Sequence, residues 1–185
     1  MTPWLKKTSL GLKKTINMVR EMPSYRVRRE IRPSDPDSVR HITESSGYFR
    51  PDEVAVAVEL AEESLQKGEK SGYYFLFVDI YNRAVAYCCF GPIPCTIGSF
   101  DLYWIAVDSH YRRRSLGTVL LHEAEKAVAS MKGRKLYIET SSQSRYEDTR
   151  VFYEANGYKL ISRLKDFYHP GDDKITFEKN IVPAG

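Results

Sequence analysis

The chain alternates between stretches with the two-residue apolar period of strands and stretches with the 3.6-residue period of helices. Its longest continuous unit runs from Asp101 to Met131. Leu102 to Val107 form an apolar run of aromatic and β-branched residues, which predicts a buried strand. Strict alternation along it places Asp101, Tyr103 and Ile105 on one face, and Leu102, Trp104 and Ala106 on the other. A polar turn with three consecutive arginines follows. Leu116, Val119, Leu120, Ala124, Ala127, Val128 and Met131 then recur at the spacing of one buried helix face, and Gly133 ends the helix.

Upstream, Tyr25 to Ile31 reads as a first strand. Ser34-Asp35-Pro36 opens a short helix that stops near Gly47, and Pro51-Asp52-Glu53 opens a clearer one ending at Gly68. Tyr73–Asp79 and Ala84–Phe90 predict a hairpin turning at Tyr81-Asn82-Arg83. Downstream come a strand from Lys135 to Thr140 and a helix from Ser144 to Asn156, capped by Gly157. Tyr158–Ser162 and Ile175–Lys179 read as closing strands joined by a loop, Asp166 to Asp173.

Composition adds bounds. With 185 residues, 42% hydrophobic and 28% charged, the chain suits one domain with a full core. The net charge of +4 is uneven: residues 1–32 hold nine Lys or Arg against two Glu, leaving the remainder at −3. The expected division is therefore a basic arm over residues 1–22 and a folded domain over 23–185. The folded body is not a basic, nucleic-acid-like surface, whereas the arm is. Lysines interrupt the first twenty residues and no apolar run reaches spanning length, so a cytoplasmic protein without membrane insertion is expected. Cys88, Cys89 and Cys95 fit no zinc spacing, and His41, His110, His122 and His169 stand singly, so no metal is expected.

Candidate chemistry begins at the basic turn. A strand, a cationic turn and a helix start together make an anion site, where unpaired N–H groups and the helix dipole point at phosphate. No G-x-x-x-x-G-K-[ST] and no G-x-G-x-x-G after a strand is present. The turn reads Arg112-Arg113-Arg114-Ser115-Leu116-Gly117-Thr118, in which Ser115 suits an N-cap and Gly117 a close backbone approach. Further on stands Thr149-Arg150-Val151-Phe152-Tyr153-Glu154-Ala155-Asn156-Gly157-Tyr158.

The first segment resembles the acyl-CoA loop [Q/R]-x-x-G-x-[G/A] of the GNAT superfamily of N-acetyltransferases, with Ser115 where the first glycine belongs. The second resembles that superfamily's F-Y-x-x-x-G-[FY] signature. The resemblance covers roughly Tyr25 to Ile181. It implies an α/β (α+β) fold with a mixed, mostly antiparallel sheet of about seven strands and about four helices. It implies acetyl-CoA as cosubstrate and direct transfer to an amine within a ternary complex.

By the same resemblance, the cofactor lies along Ile105, Ala106 and Val107, on Arg112 to Thr118, and beside Tyr146, Thr149 and Tyr153. Ile105 would serve the thioester oxygen and Val107 the pantetheine. Tyr153 would protonate the departing thiolate, the alternative being a tyrosine that only packs its helix. Asp101 or Glu139 would take the amine proton, and both could equally be plain strand residues. Tyr146 replaces an asparagine common in the superfamily. Tyr48, Phe49, Tyr103 and Asp166 are candidate acceptor-site residues. Tyr48 and Phe49 could instead plug the gap between the first two helices, and the aspartates near Asp166 could be turn chemistry.

Three functions remain open from the sequence. They are an N-acetyltransferase acting on a small-molecule or peptide amine, a CoA-binding module without turnover, and an RNA- or acidic-partner-binding protein acting through the arm. A homodimer is compatible with each.

Overall fold

The structure is a computed structural model that describes residues 24–182. The basic arm, residues 1–22, lies outside them. Seven strands form one sheet: β1 Tyr25–Arg28, β2 Tyr74–Ile80, β3 Arg83–Pro92, β4 Ser99–Val107, β5 Lys135–Ser141, β6 Lys159–His169 and β7 Asp172–Asn180. Their order across the sheet is β1-β2-β3-β4-β5-β7-β6. Only β4 and β5 run parallel; every other neighbouring pair is antiparallel. The helices are α1 Asp35–Ser46, α2 Pro51–Lys67, α3 Leu116–Ser130 and α4 Glu147–Ala155.

The helices divide between the two faces. Val39 and Ile42 of α1 and Ala57, Val58 and Ala61 of α2 pack on Phe75, Phe77, Tyr87, Cys89 and Ala106. On the other face, Leu116, Leu120, Leu121, Ala124 and Val128 of α3 and Tyr153 of α4 pack on Leu76, Cys88, Phe90, Leu102, Leu136, Ile138 and Phe177. Strands β2 and β3 are therefore covered on both faces, which is why they read as unbroken apolar runs. Tyr81 and Asn82 between them take φ of 50° and 62°, as a two-residue hairpin turn requires.

A buried ion cluster, silent in the sequence, ties β1 to α1 and β2. Arg28 donates to Asp35 at 2.7 Å and to Asp79 at 3.0 Å, and its guanidinium lies 4.5 Å from the Phe77 ring centroid.

Three expectations are corrected. The segment Asp166 to Asp173 is not a loop: β6 runs on to His169, and only Pro170 and Gly171 turn the chain into β7. The predicted last helix is a short 3₁₀ turn, Ser144–Tyr146, followed by α4. Third, β4 does not alternate throughout. Its pairing with β3 shifts from Phe90↔Leu102 to Cys89↔Trp104, which leaves Tyr103 as an extra residue in a β-bulge. The bulge puts both Tyr103 and Trp104 against the α1–α2 side. Ile105 and Val107 consequently pack on the α3 side together with Leu102.

Candidate active site

β4 and β5 pair only from Ser99↔Lys135 to Leu102↔Ile138. Beyond that point β4 stays with β3 as far as Val107, and β5 stays with β7 as far as Ser141. A gap opens between two parallel strands in the middle of the sheet.

The bulge decides which backbone groups face that gap. Asp108 N–H donates to Val85 O of β3 at 2.9 Å. In the regular stretch before it, Ala106 and Trp104 turn the same way, so the amides of Ile105 and Val107 point from β3 into the gap. Ala106 was expected among the cofactor contacts; its amide faces β3 and its side chain lies in the α1–α2 core.

At the end of β4 the chain makes a 3₁₀ turn over Ser109–Tyr111 and enters α3. Arg113 and Ser115 both adopt left-handed φ, 56° and 58°. Ser115 occupies the N-cap position without a side-chain cap bond, contrary to expectation. Its conformation is the one a glycine adopts most readily, which gives a physical reason for glycine in the related pattern. The first helical bond runs from Val119 N–H to Ser115 O at 3.0 Å. Leu116, Gly117 and Thr118 therefore have no intrahelical partner for their N–H groups, the donor set of an anion site.

The arginines divide. Arg112 donates to Ser46 O at the end of α1, and its guanidinium sits 4.8 Å from the Tyr48 ring centroid. Its side chain thus ties the loop to the α1–α2 linker. Arg113 is exposed and Arg114 half-buried beside α3, Arg114 lying 5.2 Å from the Tyr111 ring. Asp108 anchors the loop from below. Burial works against its ionisation, but His110, through its N–H and ring, and His41 at 3.3 Å hold its carboxyl below the usual range.

Gly117 also serves a purpose other than the expected one. A Cβ there would meet the Phe152 ring at 3.1 Å, so the missing side chain lets α4 approach α3.

The candidate acid and bases lie on opposite faces of the sheet. Tyr153 is buried on the α3 side, its ring 5.7 Å from Phe177 and 6.1 Å from Tyr158. Burial raises its phenol well above the ordinary value. Asp101 and Glu139 follow the opposite phase from Leu102 and Ile138, which places them on the other face. Burial, then the nearby Glu139 charge, pushes the Asp101 carboxyl up to about 6, against a lowering by Lys174. Glu139 is half-exposed and pairs with Lys174 at 2.9 Å.

Aromatic side chains frame that second face. Phe49 stacks on Trp104 at 6.1 Å, Tyr73 meets Tyr103 edge-on at 5.7 Å, and Tyr48 lies 5.9 Å from Tyr146. Tyr146 donates to Tyr48 O at 2.8 Å, so its hydroxyl is engaged with the linker. Burial and the Asp101 charge push Tyr103 up to about 12; burial and the Glu139 charge do the same for Tyr168. The aspartates of the hairpin serve the fold. Asp166 accepts from Gly171 N–H, Asp173 accepts from Asp166 N–H and Arg163, and Asp172 accepts from Ser141 and Gln143. Arg150 donates to Ser141 O and Gln143 O, fixing the link into α4, while Thr149 stays half-buried beside it.

Trp104, Lys174 and Tyr168 were not anticipated. Trp104 is hidden by the bulge, for which no glycine gives warning. Tyr168 was hidden by reading Asp166 to Asp173 as loop, and Lys174, between that loop and the next predicted strand, was assigned to neither. Trp104 Nε1 is the single buried side-chain polar atom without a partner among the described residues.

The profile of the GNAT acetyltransferase domain matches residues 70–160. A protein from Desulfovibrio desulfuricans assigned to the GNAT acetyltransferases is 42% identical, with a TM-score of 0.84 over 85% of this chain and 99% of its own. The chain belongs to the GNAT family of acetyltransferases.

An aminoglycoside 6′-N-acetyltransferase solved with coenzyme A is 20% identical, with a TM-score of 0.68 over 86% of this chain and 99% of its own. The ribosomal-protein-S18-alanine N-acetyltransferase of Escherichia coli is 19% identical, with a TM-score of 0.69 over 88% and 97%. These two share the acetyltransferase's fold. No curated protein matches its sequence. As an N-acetyltransferase of this family it takes its acetyl group from acetyl-CoA. The site fits that cosubstrate: two amides face the gap where an extended chain of amides can bind, and free N–H groups at α3 stand ready for phosphate. Among the described residues no helix is long and apolar enough to cross a membrane, and no cluster of His, Cys, Asp or Glu is placed to hold a metal.

Proposed function

We propose that the protein transfers the acetyl group of acetyl-CoA to a primary amine, of a small molecule or a peptide, directly within a ternary complex. The observation that carries the reading is the gap between β4 and β5 with the Ile105 and Val107 amides turned into it. When bound, acetyl-CoA supplies an activated thioester. Ile105 N–H polarises its carbonyl oxygen, Val107 N–H holds the pantetheine, and the amides of Leu116 to Thr118 with Arg113 and Arg114 hold the pyrophosphate. Preorganised donors of this kind are usually the largest single catalytic contribution.

Proton movement divides between the two faces of the sheet. An amine reaches the site mostly as ammonium and must lose a proton. Asp101 takes it through a bridging water, and the half-burial that raises its pKa toward 6 makes it a better base than an exposed carboxylate. Glu139 is the weaker choice, because Lys174 occupies its oxygen. On the α3 side Tyr153 Oη gives its proton to the departing sulfur. A base on one face and an acid on the other suit an acceptor and a thioester that meet across the gap. Tyr48, Phe49, Tyr103 and Trp104 border the acceptor, and Asp166 contributes by shaping the β6–β7 hairpin.

A screen of amines for thiol release from acetyl-CoA tests this reading and names the acceptor. Tight acetyl-CoA binding with no amine-stimulated release across small amines, amino acids and peptides would sink it.

A further inference from the structure

The linker between α1 and α2, Gly47 to Arg50, carries two of the aromatics that border the acceptor, Tyr48 and Phe49. Its ends are closed locally. Gly47 takes a φ of 69° and caps α1, and Arg50 N–H donates to Glu53 at 2.7 Å as α2 begins. Its middle is held from far away in sequence. Arg112 donates to Ser46 O, 66 positions back, and lays its guanidinium 4.8 Å from the centre of the Tyr48 ring. Tyr146 donates to Tyr48 O, 98 positions back, and sets its own ring 5.9 Å from that of Tyr48. Arg112 follows β4 and Tyr146 follows β5, so the two contacts reach the linker from the two strands that border the gap.

By resemblance both positions belong to the cofactor, yet here each directs a donor to a carbonyl at the linker. Arg113, Arg114 and the first-turn amides of α3 serve the pyrophosphate without them. What the two contacts fix is the residue that follows. With Tyr48 held at its carbonyl and its ring, Phe49 lies stacked on Trp104, the planes 14° apart.

We propose that Arg112 and Tyr146 are positioning residues for the acceptor: together they clamp the α1–α2 linker, so that Phe49 lies on Trp104 before an amine arrives. The proposal rests on the function given above for its placing of the acceptor beside these rings. A wall already built spares the amine the cost of ordering a loop, so loss of the clamp weakens the amine and not the cofactor. Arginine suits the task because a planar guanidinium can stack on a ring while donating in its own plane; an ammonium cannot do both.

Steady-state kinetics on the amine found by the screen, with acetyl-CoA affinity from calorimetry, tests the clamp. Arg112→Lys and Tyr146→Phe should each raise the KM for the amine about fivefold, the loss of one modest contact, and leave the acetyl-CoA Kd within about twofold. An arginine that served the phosphates would show the reverse in Arg112→Ala, a weaker cofactor with an unchanged KM for the amine. A second readout needs no turnover. In a Trp4→Phe background Trp104 is the only tryptophan, and its Nε1 is buried. Both variants should then raise the quenching of its fluorescence by acrylamide while the melting temperature holds. If no amine is acetylated, the acetyl-transfer reading falls and the quenching alone decides the clamp. Quenching equal to that of the parent, or an acetyl-CoA Kd that rises as much as the KM for the amine, would overturn the proposal.

Discussion

At the scale of single residues, Tyr153 and Asp101 make separable predictions. Tyr153→Phe removes one hydroxyl and keeps the ring that packs on Phe177 and Tyr158. General acid catalysis is worth roughly 10²–10⁴-fold, so kcat should fall by about a hundredfold or more with acetyl-CoA affinity little changed. A purely packing tyrosine would leave kcat intact, because the ring that packs is unchanged. For Asp101 the sign follows from its folded-state pKa of about 6, raised above the unfolded value by burial and Glu139. Ionisation is disfavoured in the fold: no penalty exists below the unfolded pKa, and it grows to its full size as pH rises through about 6. Asp101→Asn should therefore gain stability at pH 8 and not at pH 4. As a base, Asp101 should also produce a fall in kcat/KM below about pH 6 that the Asn variant lacks. An unchanged acid limb in that variant would transfer the role to Glu139 or to water. Both residues were legible in the sequence as candidates. Their assignment to opposite faces was not, because it needs the pairing of β4 with β5.

At the scale of elements, the start of α3 joins local strain to binding. Non-glycine residues in the left-handed region cost roughly 1–2 kcal/mol, so Ser115→Gly should raise stability by about 1 kcal/mol. Gly117 carries a different constraint, since its Cβ position is filled by Phe152 of α4. Gly117→Val should lower the melting temperature and weaken acetyl-CoA binding about tenfold, because the first turn of α3 shifts away from the ring. Adding Phe152→Leu should recover part of both losses. If the valine acted only by filling the phosphate position, the second change would recover nothing, and the coupling energy separates the two accounts. The existence of α3, its glycine and its basic turn could all be read from apolar spacing and motif. The role of Gly117 could not, since the contact spans 35 positions of sequence. The bulge at Tyr103 was equally invisible. One extra residue without glycine or proline leaves no mark on composition, yet it reverses which side chains of β4 face α3 and so which amides open into the gap.

At the scale of the whole molecule, the sheet is a continuous layer from β1 to β6 with one parallel step, and that step is where we propose the chemistry takes place. The order of elements was legible because periods of 2 and 3.6 alternate cleanly along the chain. The extent of the C-terminal hairpin was not: the proline, glycine and aspartates of Asp166 to Asp173 read as loop, but their carboxylates satisfy backbone and side-chain donors within a bulged pair of strands. Among the described residues the two apolar layers run from Val27 to Ile181, and Arg28, Asp35 and Asp79 anchor the first strand. The residues proposed to bind and act all lie between Tyr48 and Asp166. Removing residues 1–22 should therefore leave the far-UV spectrum, the melting temperature and acetyl-CoA affinity within error of the full chain. If turnover on the amine found in the screen falls while acetyl-CoA affinity holds, the arm takes part in acceptor recognition. Loss of folded, soluble protein would instead show that the first 22 residues complete the core, and that the domain begins before Tyr25.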